Sequence, residues 1–364
     1  MTAVNPALRM VSRGAHSVQI GLGPGGLILE GLQPADVAFI KALRRGIADD
    51  EVVSSAVELG VPAARAEEMC AMLATVLCPD AELSTQGYRE ERLRPDRTAI
   101  LGLYRDSARQ RLTARQQQVV HVVGLGRTGA TLAGTLANAG VGTLLLEDDS
   151  PVTATDVSPS AFAKADIGIP RSLALRRHLT ALDPLTRIHM VHDGGAGGPS
   201  LQSLDLAVLV GFDCAAVELT SRFLSAERPH LLVLHREQDG TVGPLVVPGD
   251  TACADCVERH RSDPDAPWLL DYGDWQADGS FSGLTAGPTA GRLEASSASL
   301  ALAGTAATQA LLFLDGVNQP GAWSAVMSFH AGSGRWTEQE FSAHPECGCQ
   351  WQNQPATISR TASP

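Results

Sequence analysis

Between residues 119 and 147 the chain reads V-V-H-V-V, G-L-G-R-T-G, an Ala-rich stretch to Gly140, and then T-L-L-L-E. A short β-branched run, a glycine turn, a helix-like stretch and a second apolar run make a strand–turn–helix–strand unit. Without side chains at Gly124, Gly126 and Gly129, backbone N–H groups at the helix start can approach phosphate oxygens. Glu147 ends the second strand, where an acidic side chain is expected to accept from ribose hydroxyls. The fingerprint leaves NAD and ATP both open. Further apolar runs, I-H-M-V, L-A-V-L-V and L-L-V-L-H, are of the kind buried in parallel sheets, so a doubly wound, Rossmann-like α/β domain is expected over residues 119–350. A second match, Gly21 to Gly26 (G-L-G-P-G-G), leads into another strand, L-I-L-E, and reads as a hairpin turn.

Seven cysteines, an odd count in a chain whose start shows no signal peptide, argue against a disulfide framework and for a cytoplasmic location. Cys253 and Cys256 (C-A-D-C) and, some ninety residues on, Cys347 and Cys349 (C-G-C) supply two thiolate pairs, the inventory of a closed structural zinc site. Four unlinked thiols are the alternative. Cys70, Cys78 and Cys214 sit in apolar company and read as buried small hydrophobes.

The first eighty residues read as a separate small α+β unit. Three short runs, L-R-M-V-S, S-V-Q-I-G-L and G-L-I-L-E-G-L, suggest a three-stranded meander, followed by three helices: one opening at Pro34, one after Asp49-Asp50-Glu51, one after Pro62. Met69, Met72, Leu73, Val76 and Leu77 form the apolar stripe of the third. Residues 81–118 read as a linker plus a leading helix, residues 332–334 as the turn of a late hairpin, and 351–364 as a disordered tail. Ala295 to Leu314 is uncharged and long enough to span a bilayer. Its Ala, Ser, Thr and Gly content points instead to a helix buried in the α/β domain.

Twenty-eight basic against forty acidic residues, net −12, exclude an electrostatic nucleic-acid footprint or an anionic-membrane binder. The only lysines, Lys41 and Lys164, follow no G-x-x-x-x-G stretch, which excludes a P-loop. Residues 1–79 carry six basic and eight acidic side chains, which disfavours DNA binding by that unit.

The glycine turn, the acidic strand end and the late cysteine quartet, in this order, resemble the ThiF/MoeB superfamily, activating enzymes of ubiquitin-like modifiers. Thr155 to Ser160 (T-D-V-S-P-S) stands where the family has Ser-Asn-Leu-x-Arg-Gln. Gly168 to Arg171 (G-I-P-R) looks like its Gly-x-Pro-Lys, Val208 to Asp213 (V-L-V-G-F-D) like the strand ending in its magnesium-associated Asp, and H-P-E-C-G-C like its second zinc pair. The resemblance implies ATP and magnesium as ligands, Arg171 and Asp213 as catalytic residues, zinc on the four cysteines, and a homodimer. The family's Arg falls at or near Pro159, and its Lys is Arg171 here, so adenylation is expected to be weakened or lost. The N-terminal unit resembles the PqqD-like winged-helix element that recognises leader peptides of ribosomally made natural products. A leader would pair with the meander edge by β-augmentation, contacting Leu27, Ile28, Leu29, Met69, Met72 and Leu73.

Two functions are thus in play. One is a leader-binding ThiF-like protein of thiazole/oxazole, bacteriocin or thiopeptide maturation that serves a YcaO-type cyclodehydratase. The other is an active ATP-dependent adenylyltransferase acting on a peptide or carrier-protein carboxylate. An NAD-dependent oxidoreductase would leave the cysteine quartet and the peptide module unexplained.

Overall fold

In the computed structural model, which describes residues 2–23, 25–79, 87–105, 108–192, 201–237, 239–264 and 294–353, the chain divides into two units, Met1–Ala114 and Arg115–Pro364. In the first, β1 (Thr2–Val4) pairs antiparallel with β5 (Leu77–Pro79), and β2 (Met10–Ser12), β3 (Val18–Ile20) and β4 (Leu27–Leu29) form an antiparallel sheet with β3 in the middle. The meander is therefore present, and β1 with β5 forms a separate two-stranded sheet. Gly21 takes φ +89°, and a side chain at Gly26 would collide with the Gly21 carbonyl. The first glycine motif is a strand-to-strand turn, as its context requires.

Helix α1 (Pro34–Arg45) starts with Pro at its first turn, and the Asp36 carboxylate accepts from the Gln33 backbone N–H at 3.0 Å. Helices α2 (Val52–Glu58) and α3 (Ala63–Leu73) follow, and Phe39, Ile40, Leu43, Met69 and Leu73 meet Val4, Ile20 and Leu29 in one core. The stripe expected on the third helix is shorter: α3 ends at Leu73, Val76 lies in a 3-10 turn, and Leu77 opens β5. Pairing with β1 takes the segment that helical spacing alone would extend. The stretch expected to hold a linker and a leading helix is helical within residues 88–115. They form α4 (Tyr88–Arg92), α5 (Arg94–Tyr104) and α6 (Ala108–Arg115), with Ile100, Leu101, Ala108 and Leu112 in a second small core. The expected leading helix is divided at Arg105, whose φ of +51° ends α5.

The second unit is an eight-stranded sheet in the order β13-β12-β11-β10-β9-β6-β7-β8. Strands β6 (Val119–Val123), β7 (Thr143–Glu147), β8 (Arg187–Met190), β9 (Leu206–Phe212) and β10 (His230–Arg236) are parallel; β11 (Asp239–Val246), β12 (Ala325–His330) and β13 (Arg335–Glu340) run antiparallel beyond β10. Helices α7 (Arg127–Asn138), α8 (Arg171–Leu182) and α11 (Ser296–Asp315) cover one face, while α9 (Val217–Ser225) and the start of α10 (Ala254–Ser262) contribute to the other. This is a mixed α/β, Rossmann-like unit with helices on both faces. Strand β11 escapes the sequence pattern because Pro244 and Gly243 interrupt it; the register with β10 shifts at that point, which tolerates a residue lacking an N–H.

The long helix α11, uncharged up to its final residue, packs along α7 and β11, with Leu302, Ala303, Ala306 and Ala310 buried. Its last residue, Asp315, takes both Arg115 Nε and Nη2, at 2.8 and 2.6 Å, and both side chains are buried. Of the tail expected over 351–364, residues 351–353 end a 3-10 segment, Gly348–Asn353, and the rest lies outside the described residues.

Candidate nucleotide loop and cysteine cluster

The chain leaves β6 and turns into α7 on the glycines, and two of them have packing duties that allow no substitute. Gly124 takes φ +83°, and a Cβ on it would strike the Val210 carbonyl of β9; a Cβ on Gly129 would strike the Gly124 carbonyl. The first glycine lets the turn touch the neighbouring strand, and the third lets the helix touch the turn. Gly126 caps α7, and its missing side chain faces the Glu294 carboxylate. The loop lies beside the gap between β6 and β9, where the strand order reverses, which is where ligands bind in open α/β sheets.

The expected ribose acceptor is not available. Glu147 is 3% exposed, its carboxylate is held by Arg222 Nη1 at 3.0 and 3.1 Å, and His121 Nε2 lies 2.8 Å away. Burial alone would raise its pKa, but His121 and Arg222 outweigh that and hold it below the ordinary carboxylate value. Its side chain points to the sheet face covered by α9, because residues alternate along a strand and the last one of β7 falls on that side. The next two residues take over the loop edge. Buried Asp148 accepts from Leu125 N at 2.9 Å and Ser150 N at 3.0 Å, tying the strand end to the glycine turn. Asp149, half exposed, pairs with His192 at 2.8 Å and is the carboxylate at this edge within reach of solvent. The run Glu147-Asp148-Asp149 contained this signal, but only the direction of the strand shows which member faces where.

Arg171, at the start of α8, is clamped. Its Nη1 donates to Asp148 at 3.1 Å, and its Nη2 and Nε donate to Asp156 at 2.7 and 3.3 Å. Burial opposes its charge, yet Asp148 and Asp156 more than compensate and raise its pKa. The stretch around Pro159 lies against the first turns of α7: Arg127 Nη2 donates to the Val157 carbonyl at 3.1 Å, and the Thr131 and Ser160 hydroxyls are 3.0 Å apart. Asp213 follows the end of β9 with φ +61°, its N–H donating to the His235 carbonyl at 2.7 Å, on the same sheet edge as the glycine turn. Residues that sequence reasoning missed gather at the α7 N-terminus. His235 Nε2 is 2.7 Å from Thr128 Oγ1, and Glu294 Oε2 accepts from Thr128 N at 2.5 Å. His235 ends the apolar run L-L-V-L-H and Glu294 directly precedes the uncharged stretch from Ala295, and neither position carries a local pattern that marks it.

The cysteine quartet converges although the two pairs lie far apart in sequence. Cys253 caps α10, Cys256 is one turn on, and Cys347 and Cys349 arrive after the β12–β13 hairpin. Sulfur separations are 3.7 Å (Cys253–Cys256), 3.6 Å (Cys253–Cys347) and 3.4 Å (Cys256–Cys349). These are far too long for disulfides and close to the edge of about 3.8 Å that a tetrahedron with metal–sulfur bonds of about 2.3 Å would have. The His344 N–H also points at Cys256 Sγ, at 3.3 Å. Burial, more than neighbouring charge, pushes the Cys347 thiol up to about 12, so a buried cation is what would keep four thiolates together. The donor set fits a metal ion, with four sulfurs and no open position. Of the other three cysteines, Cys78 and Cys214 are buried and Cys70 is half-buried.

In the first unit, the six residues expected to meet a peptide separate into two groups. Leu29, Met69 and Leu73 are in the hydrophobic core and present nothing to a ligand, a correction to the sequence reading. Ile28 is 43% and Met72 37% exposed, and Leu27 is partly buried against the core. Among the described strands β4 pairs with β3 alone, so its outer edge is unpaired.

A model of the ThiF family matches residues 96–350. Protein HesA of Nostoc sp. is 28% identical over 172 residues, 46% of this chain and 66% of HesA. The sulfur carrier protein ThiS adenylyltransferase of Escherichia coli is 27% identical over 155 residues, 40% of this chain and 60% of the relative. The matched stretches thus span less than two thirds of these relatives. Among solved structures, E. coli MccB with ATP superposes with a TM-score of 0.69 over 96% of this chain and 99% of that one, at 15% identity. The microcin C7 biosynthetic enzyme MccB in complex with N-formylated MccA superposes equally well, at 0.69 and 14%. At such identities the likeness is one of fold.

Proposed function

Because the chain belongs to the ThiF family, matched across residues 96–350, we propose that it is a ThiF-like protein of peptide natural-product maturation. In this reading it binds a leader peptide and presents it to a cyclodehydratase of YcaO type, with adenylation weakened or lost. One observation carries the loss of adenylation. Arg171, which the family resemblance assigns to phosphate chemistry, is neutralised by Asp148 and Asp156, and Pro159 brings no charge to the neighbouring position. Adenylation needs cations on a developing pentavalent phosphorus, and a guanidinium already shared by two carboxylates supplies little.

Residues 1–80 act as a winged-helix-like leader-recognition element, 81–118 as its connection, and 119–350 as the ThiF domain. The leader adds as a strand to the free edge of β4, with Ile28 and Met72 as its apolar contacts. Gly124, Gly126 and Gly129 cradle the phosphates of ATP, Asp149 replaces Glu147 as the ribose acceptor, and Asp213 faces the magnesium. Zinc on Cys253, Cys256, Cys347 and Cys349 is structural. The protein works in the cytoplasm as a homodimer.

The test is ATP–pyrophosphate exchange in the presence of candidate precursor peptides, alongside calorimetry with the leader alone. Leader binding without exchange is expected. Exchange dependent on ATP and peptide would instead establish the second reading, an active adenylyltransferase, which the match to the sulfur carrier protein ThiS adenylyltransferase favours. In that case a rearrangement must free Arg171.

A further inference from the structure

The N-terminus of α7 already holds an anion. The Glu294 carboxylate, 9% exposed, accepts from Thr128 N at 2.5 Å and from Ser299 Oγ at 3.4 Å, and it lies 3.6 Å from His235 Nε2. It sits so close over the glycine turn that a Cβ on Gly126 would overlap it. Its backbone is held as well: Arg127 Nη1 donates to the Glu294 carbonyl at 3.2 Å and to Ser296 Oγ at 3.0 Å. A charged group taken out of water is costly unless donors replace the water. Here the donors are a helix-terminal N–H and a hydroxyl, at the positive end of a twelve-residue helix of the kind that attracts phosphate, with the His235 ring alongside. The close approach that Gly126 permits, which serves a phosphate oxygen in dinucleotide and nucleotide sites, is used by the protein's own carboxylate.

We infer that Glu294 is an internal plug of the nucleotide site: its carboxylate occupies the phosphate position on α7, and nucleotide enters only when Glu294 withdraws. The inference rests on reading the glycine turn as a nucleotide site and adds its regulation. Two anions cannot share one helix terminus, because their repulsion at contact distance in a partly buried site exceeds what the dipole offers the second. Glu294 therefore competes with phosphate, and whatever draws the start of α11 away from the loop opens the site.

Isothermal titration calorimetry on the full chain tests this with ATP and, separately, inorganic pyrophosphate, comparing the native protein with Glu294→Gln and Glu294→Ala, both checked for folding by circular dichroism. Both anions are expected to bind the two variants about tenfold more tightly than the native protein, the size of effect a partly buried helix-terminal charge can exert. Equal affinities for native and variants would overturn the plug and leave the nucleotide reading standing. Pyrophosphate binding that tightens in the variants while ATP binds none of the proteins would keep the plug and remove the nucleotide reading. Failure of both anions to bind any of the three would overturn the plug, since the bared terminus would then attract no phosphate.

Discussion

The cysteine cluster and the glycine turn lie in the same unit, and each is built from backbone and side chains that arrive from distant parts of the chain. In the cluster four sulfurs face one another at 3.4 to 3.7 Å with no position left for a further ligand. At the turn, by contrast, the helix-terminal N–H of Thr128 is met by a side chain from another element, Glu294, the proposed plug, which would have to withdraw. A closed set stabilises; a set completed by a side chain that can leave is able to bind. Beside the turn Arg171 is itself held by two aspartates, Asp148 and Asp156.

The largest expected effect sharpens the structural side of this contrast. Metal analysis should find one zinc per chain, and stripping it, or replacing Cys256 by Ser, should cost several kcal/mol of stability in thermal or urea unfolding. A stripped protein that melts unchanged would sink the structural role.

Next comes acid stability, which separates the cluster from the rest of the sheet. Buried His230, at the start of β10, is pushed down to about 4 by burial. The unfolded chain therefore takes up a proton that the folded one refuses as pH falls below the ordinary histidine value. The stability that neutral His230 allows is complete above about pH 6.5 and is lost toward about pH 4, roughly 3 kcal/mol in all. Urea unfolding of the metal-stripped protein should keep this slope, and His230→Gln should flatten it. A slope that vanishes on stripping would place the acid lability in the cysteines.

The smallest effects distinguish the glycines. Gly129→Ala forces a side chain against the Gly124 carbonyl and should cost about 1–3 kcal/mol. Gly126→Ala meets only the tip of Glu294, so its cost should stay below about 1 kcal/mol as the carboxylate swings away. Equal costs in urea unfolding would mean that the turn has no loose member.

Much of this was legible from local pattern. The strand–turn–helix context separated the two glycine motifs, since only the second is followed by a helix, and the meander and late hairpin followed from alternation and turn residues. Strand β11 was hidden by Pro244, whose ring forbids a regular ladder but is accommodated by the register shift. The third helix was overextended because Val76 and Leu77 keep helical spacing while β1 claims Leu77 as a strand partner. Glu147 was misplaced for a related reason: spacing finds the strand end, but which of three successive acids faces the loop depends on pleat direction. Leu29, Met69 and Leu73 were right as apolar residues and wrong as peptide contacts, since one core needed them all.

By itself the sequence determined the inventory: which segments extend or coil, where glycines permit close approach, and which four sulfurs are available for one ion. These follow from each residue's own sterics and chemistry, which act within a few positions along the chain. Only the tertiary structure decided how that inventory is spent, with Glu147 on His121 and Arg222, Arg171 on Asp148 and Asp156, and the α7 terminus on Glu294. Pairings of charge are settled across space, where a few ångströms choose the partner, and sequence separation carries no trace of that distance.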